Sequence, residues 1–252
     1  MTRMRFPALL STKLAKARVA GFFRGARPAH FVDFVDAAEV LHAGSAHPIS
    51  HERIRSLLLS PAPILWIGGS EPLEHPGIAH LVRAIVQGGR FVFLETCGAL
   101  LRRRIHEFQP VPQLFLTIRS EGPPPSAGGK LRHPGAFELA LEGLRAARLS
   151  GFFTAVHSPV REDSDISRLP ALSGILSVAD VDGWMITAAT IGDPTLSKAR
   201  EARNLIPHRQ WRALSGHVER ELLSAAKTSE MRHAPGSETH PAQASEESIR
   251  VS

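Results

Sequence analysis

"PILWIGGSEPLEHPGIAHLV" (63–82) runs from a compact apolar segment through two glycines and an acid into a stretch with helical spacing. Ile78, Leu81, Val82, Ile85 and Val86 recur at i, i+3, i+4, i+7 and i+8, the pattern of one buried helix face. Pro76 suits a first-turn position and Gly88-Gly89 a stop, so the spacing predicts a helix over 76–88. A short strand, a glycine turn and a helix form one βα unit. Such a turn either faces a ligand or simply turns the chain tightly, and the rest of the sequence has to separate the two.

Outward from that unit the same alternation repeats. Strands are predicted at 31–35, 63–68, 90–95, 113–118, 152–156 and 181–187. Helices are predicted near 50–59, 76–88, 98–108, 134–149 and 165–176, the fourth with Phe137, Ala140, Leu141, Leu144 and Ala147 on one face. Strands that are apolar throughout, rather than alternating, are strands covered on both faces, which means a parallel sheet with crossover helices. Six units fit an α/β fold, either a partial (β/α)6 TIM-like barrel or a doubly wound sheet. In both, ligands sit beyond the carboxyl ends of the strands.

Composition narrows the class. The chain has 252 residues, 43% of them hydrophobic, enough for a sizeable core. The net charge of +6 is concentrated between Arg3 and Arg27 and at Arg102–Arg104, which reads as local basic surface rather than a nucleic-acid interface. No apolar run reaches the ~18 residues of a membrane span and no signal-peptide pattern opens the chain, so a cytoplasmic location is expected. One cysteine, Cys97, precludes an internal disulfide and any site built from several thiolates of this chain.

Four segments are expected. Residues 1–28 hold a basic amphipathic helix, with Leu10, Leu14, Ala17, Val19 and Phe22 among the cations; it either touches a membrane surface or partner weakly or closes the bottom of the domain. The barrel occupies 29–190, a helical extension 191–227, and a disordered tail 228–252, where apolar residues almost vanish.

"IGGSEPLEHPGIAHLVRAIVQGGRFVFLETCGALL" (67–101) resembles the second and third βα units of the radical S-adenosylmethionine (SAM) superfamily. Gly68, Gly69, Glu71, Pro72 and Leu73 match its GGEPL turn, with Ser70 as an extra residue, and Thr96, Cys97 and Gly98 match its T-N-G-like turn. "LFLTIRSEGPP" (114–124) and "HPGAFELALEGLRAARLSGFFTAVHSPV" (133–160) resemble the units that follow, with Glu121-Gly122 in place of a D-G pair. "RFVFLETCGALLRRRIHEFQP" (90–110) is also similar to the radical SAM enzymes of hopanoid biosynthesis. The resemblance covers about residues 31–190 and implies the partial barrel. It further implies that Gly68, Gly69, Glu71, Pro72, Thr96 and Cys97 line a SAM site, the glycines leaving room for backbone to approach the ligand.

The resemblance stops where that family's chemistry starts. A C-x3-C-x2-C loop after the first strand holds three irons of a cubane cluster, and the fourth iron binds SAM. Here the loop reads "DFVDAAEVLHAGSAHPIS" (33–50), and aligning "AEVLHAGS" puts Ala38, His42 and Ser45 at the three positions. No four-iron cluster of this chain's own is expected, and SAM binding is left as an open expectation. Three alternative ligands, His42, His47 and His51, with Asp33, Asp36 and Glu39 nearby, have the right donor chemistry for zinc or ferrous iron, though no metal-site spacing. Ser50 as an N-cap accounts equally well for His51 and Glu52.

Three lesser candidates complete the set. His157, with Arg161, Glu162 and Asp163, offers polar groups at a strand end. Cys97 would serve as a nucleophile if Arg102–Arg104 stabilised its thiolate. Trp184, in Asp182-Gly183-Trp184, is either a stacking surface at the mouth or a core residue. The function expected from these observations is a radical-SAM-like barrel without its own cluster, acting as an accessory or binding protein beside a partner enzyme or a small-molecule or peptide substrate. The alternative is an enzyme that retains a SAM or metal site in the barrel mouth.

Overall fold

The structure, a computed structural model, describes residues 7–23, 31–40, 51–120, 122, 135–161, 164–188, 216, 220 and 222. Six strands form one sheet: β1 (Val32–Asp36), β2 (Ile64–Gly68), β3 (Phe91–Thr96), β4 (Leu114–Arg119), β5 (Phe153–Val160) and β6 (Gly183–Ala188). Every neighbouring pair is parallel and the strands lie in chain order. A doubly wound sheet reverses its order at a switch point. This one does not, so the crossover helices stay on one side and the sheet curls into a half-barrel.

The two faces are covered differently, which is why the strands read as apolar throughout. Leu65, Ile67, Val92, Leu94, Leu116 and Val156 point outward into a core shared with the helices α3 (His51–Leu59), α4 (Ile78–Gln87), α6 (Ala136–Leu149) and α7 (Leu169–Val178). Leu222 packs on the same core. The inner face holds Ile64, Trp66, Phe91, Phe93 and Phe115. Trp66 stacks on Phe93 at 5.3 Å and Phe93 on Phe115 at 4.5 Å, so a ladder of rings fills the concave side in place of a second helix layer.

Helix α1 (Ala8–Phe23) closes the amino-end opening of that concave side. Leu10 is completely buried among the inner rings, Leu14 is half-buried beside it, and Lys13 bonds the Gly89 carbonyl and lies 5.8 Å from the Phe91 ring. These contacts place Leu10, Lys13 and Leu14 against the amino ends of the strands; the side chains of Ala17, Val19 and Phe22 lie outside the described residues.

Two helix boundaries differ from expectation. α4 begins at Ile78 rather than Pro76, because Pro72–Glu74 forms a 3-10 turn first and Arg104 holds that turn through the Leu73 and His75 carbonyls. The 98–108 helix is a single α turn, α5 (Leu101–Arg104), continuing as a 3-10 turn over Ile105–Glu107. Among the described residues, no helix is long and apolar enough to cross a membrane. Apart from residues 216, 220 and 222, all helical, the expected extension and tail lie outside the described residues.

Candidate functional site

Above the ring ladder the inner face turns polar. Strand alternation carries it from Phe91 and Phe93 to Glu95, from Phe115 to Thr117 and Arg119, and from Phe153 through Ala155 to His157. Glu95 and His157 are buried at 3% and 2% exposure, depths at which ionisable groups need partners. They have them: His157 Nδ1 and Glu95 Oε1 are 2.8 Å apart, the Trp66 indole donates to Glu95 Oε2 at 2.7 Å, and His157 Nε2 meets the Thr187 hydroxyl at 2.7 Å. Arg119 Nε stands 4.0 Å from Glu95 Oε1. Burial pushes the Glu95 carboxyl up, but the bond to His157, the charges of His157 and Arg119 and the Trp66 bond together carry it below the ordinary carboxylate value.

The order hydroxyl, imidazole, carboxylate matches that of an acyl-transfer nucleophile and its base. Neither His157 nor Thr187 lines the cleft described below, so the chain of bonds braces Glu95. Because the folded-state pKa of Glu95 is depressed, its stabilising contribution is complete above the unfolded carboxylate range and is lost as pH falls through the lower folded value. Urea midpoints measured from neutral pH into acid are therefore expected to fall less steeply for Glu95→Gln than for the wild type; parallel curves would contradict this.

The glycine turn lies beside this network. Gly69 has φ +76°, and a Cβ there would sit 2.6 Å from Asp36 Oδ2; a Cβ on Gly68 would sit 2.8 Å from Glu95 Oε2. Both glycines are therefore required by this chain's own carboxylates, whatever lies outside. Asp36 Oδ1 accepts from Ala38 N at 2.9 Å and Ser70 N at 3.2 Å, capping the short helix α2 (Ala37–Val40) and pinning the turn. Glu71 ties two loops together: Oε1 accepts from Leu73 N and the Thr96 hydroxyl at 3.0 and 2.6 Å, and Oε2 from Cys97 N at 2.7 Å.

These loops enclose a cleft of about 290 Å³ at the carboxyl ends of the strands. Gly69, Glu71, Pro72, Thr96 and Cys97 line one side of it, with Glu74 among them, and Arg119 and Arg161 complete the wall. Five of the six residues expected at a ligand site thus converge, while Gly68 lies beneath, against Glu95. Glu95, Arg119, Trp66 and Thr187 were not singled out by sequence; the signal available was their period-two spacing from the inner aromatics.

Other expectations are corrected. Trp184 does not stack at the mouth: it is in the outer core and donates to the Ser158 hydroxyl at 3.0 Å, while Asp182 latches Arg148 and Thr154 N at the opposite, amino end of β6. Asp33 is not at the mouth either, since it pairs with Arg90 at 2.5 Å on the outer side of β1. His157 is no strand-end residue but sits in the middle of β5, which continues to Val160. Arg102 pairs with Glu142 at 2.8 Å and Arg104 with Glu107 at 2.5 Å, so neither activates the thiol.

Cys97, an exposed residue, is instead pushed up to about 11, first by partial desolvation of its sulfur among the loops and then by the Glu71 carboxylate. Iodoacetamide alkylation of this single thiol is expected to keep accelerating beyond pH 9; a plateau by pH 9 would show an ordinary or activated cysteine.

A cubane cluster does not fit these residues. The loop after β1 has no cysteine, and Cys97 follows β3 as a stabilised thiol. Among the described residues, no three His, Cys, Asp or Glu side chains lie close enough to hold a metal ion. His42, His47, Glu162, Asp163 and the side chains of Glu39 and His51 lie outside the described residues.

Streptococcus suis SuiB superposes on this chain with a TM-score of 0.50, at 11% identity over 89% of this chain and 53% of SuiB. The fold is that of a radical SAM partial (β/α)6 barrel. TYW1 with a lysine-pyruvate adduct bound gives a TM-score of 0.42 at 12% identity over 84% of this chain and 61% of that one. Archaeal TYW1 gives 0.37 at 21% identity over 56% and 47%. The chain spans about half the length of these structures, and the likeness to SuiB is one of fold. No known family and no curated protein matches the sequence.

Proposed function

We propose that this chain is a radical-SAM-type barrel without its own cluster, working as a non-catalytic binding or accessory protein. The observation that supports it is an asymmetry. The SAM-side loops form a satisfied cleft, fixed by Glu71 and Asp36, whereas the loop where three thiolates would stand contains Ala38, His42 and Ser45. The cleft keeps what a scaffold needs for holding a ligand over the strand ends and lacks the iron ligands that would pass an electron to it. Its occupant is a small molecule, or a side chain of a peptide offered to a partner enzyme.

Metal analysis of the anaerobically purified chain tests this reading. Substoichiometric metal, unchanged in His42→Ala and His47→Ala, is the expected result. One metal per chain, lost in those variants, would replace the accessory reading with a metalloenzyme.

A further inference from the structure

We infer that the amino-end face of the half-barrel, at the opposite end of the strands from the cleft, docks on an anionic lipid surface.

Topology gathers this face. Every strand is parallel, so each crossover helix returns to the amino ends of the strands and finishes there. Helix C-termini favour Lys, Arg or His, which meet the free carbonyls. Here α3 ends on Leu59, α6 on Leu149 and α7 on Val178, at 78, 89 and 83% exposure. The first turn of α1, across the same end, adds Leu9 at 58%. With Leu58, five of the seven large apolar side chains exposed among the described residues stand at this one end. They are therefore not the single, scattered apolar residues normal to a protein surface.

The charge at this end is one-sided. Residues 60–63, 88–90, 109–113 and 150–152, which lead into β2, β3, β4 and β5, contain neither Asp nor Glu, and Pro61, Pro110 and Pro112 are exposed among them. In the loop into β6, Asp180 and Asp182 both pair with Arg148. Residues 1–28, by contrast, carry seven cations and no acid. Lys16 is exposed on α1, and Lys13 keeps its charge because its partner, the Gly89 carbonyl, is neutral.

Exposed Leu and Val beside cations, with the nearby acids held by an arginine, suit an anionic leaflet. Apolar side chains enter the acyl boundary there while Lys and Arg meet the headgroups. A second copy of the chain fits poorly, since it would set seven cations against seven.

Co-sedimentation of the full chain with lipid vesicles at low ionic strength tests the inference. Binding to mixed phosphatidylserine and phosphatidylcholine vesicles should exceed binding to pure phosphatidylcholine by about tenfold or more, as several cations near the surface require. It should fall in about 1 M salt, where charges are screened within about 3 Å. The triple variant Leu59→Ser, Leu149→Ser, Val178→Ser should bind the mixed vesicles about tenfold more weakly or worse, through lost apolar burial. It should melt with the wild type, because all three side chains are exposed in the free chain. Lys16→Glu should weaken binding by about fivefold or more, the worth of one cation at such a surface, and carries the test if the triple variant melts early. No binding to the mixed vesicles, equal binding to both lipids, or binding unchanged in these variants would each overturn the inference. Self-association in sedimentation velocity that vanishes in the triple variant would also overturn it, by assigning the face to a second copy.

Discussion

His157→Leu is expected to destabilise the chain by about 2–4 kcal/mol, the cost of leaving an oxygen of a buried carboxylate without its hydrogen-bond partner. The histidine is the only described group bonded to Glu95 Oε1 at hydrogen-bond distance, at 2.8 Å, and the carboxylate stays 3% exposed when the histidine goes. Trp66 still holds Oε2. A loss of that size lowers Tm by on the order of 10 °C in a chain of this length. The double variant His157→Leu, Glu95→Gln should recover much of the loss, because the glutamine keeps an acceptor for Trp66 and leaves no buried charge. Thermal melts of the four proteins close the cycle. Equal losses in the single and double variants would show that the imidazole contributes packing rather than its bond to Glu95.

Gly69→Ala is the second large effect. A left-handed residue with a Cβ costs about 1–2 kcal/mol, and here the Cβ would also sit 2.6 Å from Asp36 Oδ2. Asp36 must then move, giving up its bonds to Ala38 N and Ser70 N. A total near ~2–4 kcal/mol follows, within the range of strain and lost caps. Gly174→Ala is the contrast: this glycine lies in α7, exposed, with nothing within 4 Å of an added Cβ. It should stabilise by about 0.5–1 kcal/mol through helix propensity. Urea unfolding of both variants checks the pair. If both shift the same way, the turn is not fixed by Asp36.

These two predictions also mark what was legible in the sequence. All six strands were placed to within a few residues, because a parallel strand buried on both faces is a run of Val, Ile, Leu and Phe bounded by breakers. The choice between half-barrel and doubly wound sheet was not legible, since it depends on the side each crossover takes. Of the site, the glycine turn and its acid were visible as a motif. Their reason was not: Gly68 and Gly69 are answered by Glu95 and Asp36, which stand 27 and 33 residues away in sequence and meet them only across the sheet. His157 reads as a strand-end residue because the apolar run stops at Val156, yet the strand continues through Pro159, in register with Thr187, to Val160.

The polar mouth and the missing thiolates belong to one account. The chain keeps the partial barrel, fills its concave side with rings, and spends its mouth carboxylates on its own loops. Chemistry that needs three thiolates has no ligands here, and the lone cysteine is held toward the thiol form at about 11. What remains at the strand ends is a cleft lined by the glycine turn, Glu71, Thr96 and Cys97.

Anaerobic reconstitution of the purified chain with ferrous iron and sulfide, followed by SAM and a reductant, tests the central claim most directly. The account predicts no charge-transfer band near ~400 nm after desalting and no 5′-deoxyadenosine. About four irons per chain, retained with that band and accompanied by SAM cleavage, would contradict it.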